Sequence, residues 1–313
     1  MEDEERSRVS IVWRAVRRFA VGRLLAGLGV GCAVLAGLPA QADNLSAPGL
    51  WRVTGPKGSL HLMGSVHVLT EADNWMDTPI NAAFAGSDCL ALEIDLATIG
   101  PEDISASLLA AGTYGPDSGG LKDHVSPKTY RRFLRMTDEL ALSPESLDRY
   151  RPWLVGLIFT SVITRSLGYE DEYGVDYAFA ARAQAVNKPV VGLESLNDQV
   201  AVLSDSVGES DDQVLNEVLD AVGREPRLVK VLADAWRRGD MDTIARKVDE
   251  ELADYPGDYD RLIGKRNRAW MAHLEKMLET GRRCMVVVGA GHLVGEASLL
   301  TLLQNAGYAV TRE

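Results

Sequence analysis

Two short stretches of this chain, 225 residues apart, carry the same unit. "LHLMGSVHVL" (60–69) and "MVVVGAGHLVG" (285–295) each run an apolar segment into a glycine, two further residues and a histidine: Gly64 with His67, Gly289 with His292. Between them, "CLALEIDL" brings Glu93 to the end of a third apolar run, and "PVVGLES" ends a fourth on Glu194. In open α/β sheets the crevice beyond the carboxyl ends of the strands is where ligands bind, so polar residues delivered there are the first candidates for chemistry. Two imidazoles and one carboxylate, His67, Glu93 and His292, form a donor set that would hold a divalent ion with positions left for water and substrate, as hydrolytic zinc sites do. Manganese, cobalt and zinc all accept these donors, so donor type leaves the metal open. A glycine three residues before each histidine is expected where the backbone turns sharply or approaches a ligand or neighbouring strand closely.

Other groups compete for a role. Glu194 reads as a general base, as a partner that orients a histidine, or as a carboxylate at the N-terminus of the helix that follows. In "DRLIGKRNRAWMAHLEKML" a helical stripe of Ile263, Trp270, Met271 and Leu274 takes in Asn267 beside Arg266, which places a polar pair on an inward face. That pair either touches the site or forms a satisfied structural network. His61 shares a strand face with His67, but six extended residues separate the two by about 20 Å, too far for one ion. His124 in a polar loop and His273 on the flank of a helix are expected to be structural or solvated. "GAGHLVG" places its glycines at 289, 291 and 295, one residue off the dinucleotide fingerprint. G-x-S-x-G does not occur, so no nucleophile elbow is expected.

The elements that must position these residues are legible. "WRVT", a Gly-Pro-Lys-Gly turn and "SLHLMGSVH" predict a hairpin over 51–67. A short helix near 78–86 leads to "CLALEIDL", apolar on both faces like a strand covered on both sides. Residues 102–183 read as mostly helical, with Ser126 and Pro127 opening one helix and Pro152 interrupting or kinking another. "GVDYAFAARAQAVNK" is a helix before the short strand "PVVGLES", and helices dominate again over 196–280. The chain closes with the strand "CMVVVG", a helix and a last strand, "YAVTR". The fold class expected is α/β, with a central mixed sheet formed by N- and C-terminal strands and large helical insertions, one domain over 43–313.

Four arginines, an apolar stretch and "PAQAD" make residues 1–42 a secretory signal peptide, so the mature chain is expected to be periplasmic or secreted. The leader holds four acids and six bases; without it the net charge moves from −12 to −14, which argues against nucleic acid as a partner. No later segment has 18 consecutive apolar residues, so no stable membrane span is expected after cleavage. Cys89 and Cys284 each lie in a predicted strand; they pair as a disulfide only if those strands are neighbours, and otherwise stay as buried thiols.

In order and spacing, "LWRVTGPKGSLHLMGSVH", "LALEID", "GVDYAFAARAQAVNKPVVGLESLNDQ", "RNRAWM" and "VVVGAGHLVG" resemble the TraB/PrgY/GumN family, which includes the animal Tiki proteins. The resemblance implies a Tiki-like α/β fold and a metal-dependent hydrolase in which His67, His292 and Glu93 are essential, with Arg266 and Asn267 matching a further motif. The Tiki members are metalloproteases that use manganese or cobalt, which implies a peptide or protein substrate. Two alternatives follow from other members: a protein that binds or sequesters a peptide without cutting it, and an accessory protein of envelope polysaccharide production.

Overall fold

The computed structural model describes residues 47–205, 209–252 and 257–313; the leader expected over 1–42 lies outside the described residues. The expected hairpin forms from β1 (Leu50–Thr54) and β2 (Ser59–Ser65), joined by a turn in which Gly55 N–H donates to the Gly58 carbonyl at 3.0 Å. The remaining strands are β3 (Cys89–Leu92), β4 (Val190–Gly192), β5 (Arg283–Gly289) and β6 (Ala309–Arg312). They form one six-stranded mixed sheet in the order β4-β3-β5-β2-β1-β6. The four strands β4, β3, β5 and β2 run parallel, and β1 is antiparallel to both of its neighbours.

Position in the sheet accounts for composition. β5 lies between β3 and β2, and only its first residue is exposed, so it carries the unbroken apolar run of a strand covered on both faces. Leu60, Leu62, Val286 and Val288 pack with Trp270, Leu274 and Leu278 of the helix Lys265–Glu279 and with Leu299 and Leu303 of the helix Leu299–Asn305. Each such side chain contributes roughly 1.5–3 kcal/mol by leaving water. Cys89 and Cys284 are register partners across β3 and β5, their Cα atoms 4.7 Å apart, and form a disulfide.

By compactness the chain divides into two units. One, residues 98–171 and 195–229 of the described chain, is helical; the other, residues 47–97, 172–194 and 230–313, holds the sheet. In the helical unit Ser126 caps the helix Pro127–Glu139, accepting from the Thr129 N–H. Of the two outcomes expected at Pro152, the helical stretch is interrupted rather than kinked. The proline stands at the first position of the helix Pro152–Ser166, where its missing N–H costs nothing and its fixed φ suits the first turn. The helix Lys265–Glu279 continues from a π-helical segment, Asp260–Gly264, a wider winding that often marks functional positions. No helix among the described residues is long and apolar enough to cross a membrane.

Candidate functional site

Because β2, β3, β4 and β5 are parallel neighbours, their carboxyl ends lie along one edge of the sheet. His67 follows β2 by two residues, Glu93 directly follows β3, and Glu194 follows β4. His292 sits in a single 3-10 turn, Ala290–Leu293, which begins where β5 stops. The β3–β4 pairing extends past the strands, with Leu193 N–H on the Leu92 carbonyl and Glu194 N–H on the Glu93 carbonyl, both at 2.9 Å, so the two glutamates leave the sheet side by side. His67, Glu93, Arg266, Asn267 and His292 are all buried.

The glycines serve close approach rather than a left-handed turn, since neither Gly64 nor Gly289 has a positive φ. A Cβ on Gly64 would stand 3.0 Å from the Cα of Ala290, so the strand end and the turn bearing His292 meet there. A Cβ on Gly289 would stand 3.2 Å from Glu93 Oε1, 3.6 Å from His292 Cδ2 and 3.8 Å from His67 Nε2. The missing side chain of Gly289 therefore leaves a gap faced by all three candidate ligands.

Asn267 sets the state of His292. Its amide nitrogen donates to the carbonyls of His292 (3.1 Å) and Ala297 (2.8 Å), which leaves Oδ1 to accept at 2.6 Å from Nδ1 of His292. Nδ1 therefore carries the hydrogen and Nε2 the lone pair. Burial and the nearby Arg266 charge push the His292 pKa down to about 3, against the pull of Glu93, so the ring is neutral.

His67 is held in the same sense by Asp176. The Asp176 carboxylate accepts from His67 Nδ1 at 2.7 Å and from the buried Ser65 hydroxyl at 3.0 Å. The helix Val175–Ala185 brings it there, with Val175 N–H bonded to the Val66 carbonyl at 3.1 Å. Burial opposes charge on His67, but Asp176 and then Glu93 outweigh it and raise its pKa. Its Nε2 is buried and, among the described residues, has no hydrogen-bond partner, the kind of polar atom that a folded chain rarely leaves alone.

Glu93 accepts from Gly289 N–H through Oε1 (2.8 Å) and from Arg266 Nη2 through Oε2 (2.7 Å). Burial would raise its pKa, yet Arg266 and the two histidines hold it down at about 2. Arg266 also donates to Glu194, from Nε at 3.0 Å and Nη2 at 2.5 Å, and from Nη1 to His292 Nε2 at 3.0 Å. Its guanidinium carbon lies 4.8 Å from the centre of the Trp270 ring, and Trp270 Nε1 donates to Glu194 at 3.2 Å. Burial pushes the Glu194 pKa up, against the hydrogen bonds and charge of Arg266. Glu194 thus meets Arg266 and Trp270 rather than a histidine, and the helix after it, Leu196–Ser204, is capped by Ser195 instead.

Donor chemistry suits a divalent ion in several respects. Both imidazoles have Nδ1 tied to an oxygen, the arrangement that orients histidine ligands at metal sites; Glu93 is anionic; and His67 Nε2 is unpartnered. The spacing is wider than a bound ion would set: His292 Nε2 and Glu93 Oε1 are 3.8 Å apart, against about 3.4 Å for a tetrahedral site with bonds near 2.1 Å. Among the described residues, no three His, Cys, Asp or Glu side chains already stand together as a metal cage.

Of the candidates read from sequence, Glu93, His292, Glu194, Arg266 and Asn267 are linked by hydrogen bonds into one network, and His67 faces the same gap beside Gly289. The other histidines are elsewhere. His61 faces Glu313 at 3.4 Å, His124 stacks on Tyr114 with ring centres 4.3 Å apart, and His273 is exposed. Asp176 and Ser65 stand behind His67 and had no sequence signal. An aspartate in the first turn of a helix reads as a dipole partner, and a serine between two apolar residues reads as filler.

A mixed α/β sheet whose four parallel strands carry a buried histidine–carboxylate–arginine cluster at their carboxyl ends is the class this molecule defines. The chain belongs to the TraB/PrgY/gumN family, whose model matches residues 49–312. It is similar to the "Uncharacterized protein YbaP" of Escherichia coli (strain K12), 26% identical over 249 residues, covering 78% of this chain and 87% of that one; the protein of the same name in Shigella flexneri matches equally. An "Uncharacterized protein" of Treponema pallidum (strain Nichols) is 23% identical over 277 residues, covering 82% of this chain and 80% of its own. No solved structure matches the chain.

Proposed function

We propose that this protein is an exported metal-dependent hydrolase of Tiki-like type, in which His67, Glu93 and His292 hold a divalent manganese, cobalt or zinc ion and the substrate is a peptide. The observation that carries this reading is the unpartnered, buried His67 Nε2 at the gap beside Gly289, which Glu93 and the neutral His292 also face. A divalent ion bound there supplies Lewis acidity toward a carbonyl and lowers the pKa of water to near neutrality. Asp176 and Asn267 hold the two rings in the tautomer that offers Nε2. Glu93 supplies negative charge, and its fixed bond to Gly289 N–H keeps one oxygen turned toward the gap. Glu194 restrains Arg266 through paired hydrogen bonds, so its role is to place that cation. The peptide as substrate follows from the family resemblance.

Elemental mass spectrometry of the purified protein, before and after loading with manganese, cobalt or zinc, tests the metal. About one equivalent in the wild type and none in His67→Ala and His292→Ala is expected, with peptide hydrolysis lost in both variants. Full metal content or full hydrolysis in either variant would sink the reading.

A further inference from the structure

Arg266 touches two of the three groups assigned to the metal, and at His292 it takes the atom a metal would need. Its Nη1 donates to the Nε2 lone pair of His292, and its Nη2 is shared between Glu93 Oε2 and Glu194 Oε1. An imidazole nitrogen has a single lone pair, so His292 Nε2 serves the guanidinium or an ion, never both. A divalent ion on His292 would also stand beside a like charge in a buried setting, where repulsion is only weakly screened. Glu194, in contrast, offers Arg266 two further hydrogen bonds that involve neither histidine and a position beside the Trp270 ring.

We propose that Arg266 and a divalent ion compete for His292, and that loading the ion requires the guanidinium to leave Nε2 of that histidine while Glu194 retains it. The inference rests on the metal reading above and adds to it a determinant of metal affinity. Arg266 is then a gate on loading: the site is competent only when the guanidinium is off His292, and observed affinity is reduced by the fraction of time it is on. Glu194 is the post that makes the release possible. Both are positioning residues.

Two substitutions shift metal affinity in opposite directions, which a purely structural network does not do. In Arg266→Met the competitor is gone, so affinity for manganese or cobalt, measured by isothermal titration calorimetry, should rise by about tenfold or more, the gain expected when a competent state near 10% becomes the whole population. In Glu194→Gln the guanidinium loses its alternative anchor and affinity should fall. Arg266→Lys keeps the counter-charge for the buried glutamates but cannot reach His292, Glu93 and Glu194 together; it should bind more tightly than wild type and protects the test if Arg266→Met does not fold. Circular dichroism and thermal midpoints establish folding for each variant. Weaker or unchanged binding in the folded Arg266 variants, with wild type binding metal, overturns the gate and leaves the metal site standing. No binding of metal by wild type or any variant overturns both.

Discussion

Asn267 and Asp176 do the same work at the level of single atoms, each presenting an oxygen to Nδ1 of a histidine and turning Nε2 inward. One is an amide whose nitrogen is fully used by two carbonyls; the other is a carboxylate steadied by the Ser65 hydroxyl. The carboxylate also makes its imidazole a stronger base than the amide can. Replacing Asp176 with Asn keeps the shape and a hydrogen-bond acceptor but removes the charge. Metal affinity of Asp176→Asn should fall by about 10–100-fold, the usual effect of losing a partner behind a histidine ligand. A titration in which the variant matches wild type would show that Asp176 is packing alone.

At the scale of elements, the site is an outcome of parallel pairing. β5 touches both β2 and β3, so a short turn after it reaches His67 and Glu93 at once. That geometry gives the two glycines different duties. Gly289→Ala puts a methyl into the gap between the candidate ligands without violating its backbone conformation, whose φ is −47°. Gly64→Ala drives a methyl against the backbone of Ala290. Gly289→Ala should therefore keep most of its stability and lose metal content, whereas Gly64→Ala should lower the urea midpoint, with a cost of about 1–3 kcal/mol for overpacking. Parallel denaturation curves and metal analyses check the pair, and an alanine at 289 that leaves metal content intact would remove the gap from the site. The π-helical segment ahead of Lys265 belongs to this scale as well, since it precedes adjacent Arg266 and Asn267, both buried among the site residues.

For the whole molecule, the buried cluster ties stability to pH. His292 is depressed from 6.5 to about 3 and Glu93 from 4.5 to about 2. Both therefore contribute stability above their ordinary values and lose it as acid drives protons onto the unfolded chain. His67, with a raised pKa, contributes below 6.5 and loses its contribution as pH rises through its folded value; Glu194, also raised, does the same above 4.5. Between pH 4.5 and 3 only the destabilising pair, His292 and Glu93, is titrating among these four groups. Unfolding free energy from urea curves should fall there as pH drops, and His292→Gln should remove about one proton's share of the slope, up to about 1.4 kcal/mol per pH unit. Identical slopes in the two proteins would mean that His292 takes up a proton in the folded state.

The sequence by itself determined the strands, since short apolar runs between helical stretches mark them, and it determined which histidines stand at strand ends. It also marked Asn267 and Arg266 as polar residues on an apolar stripe, because periodicity survives any tertiary arrangement. The adjacency of Cys89 and Cys284 depends on β3 lying beside β5, which neither strand's own sequence specifies. What only the tertiary structure decided is who serves whom: that Asp176 stands behind His67, that Glu194 faces Arg266 instead of a histidine or a helix end, and that Arg266 shares the lone pair of His292. Those pairings join residues up to 109 positions apart. Side-chain contacts across parallel strands depend on strand order, and nothing in the local pattern of a strand specifies its neighbour.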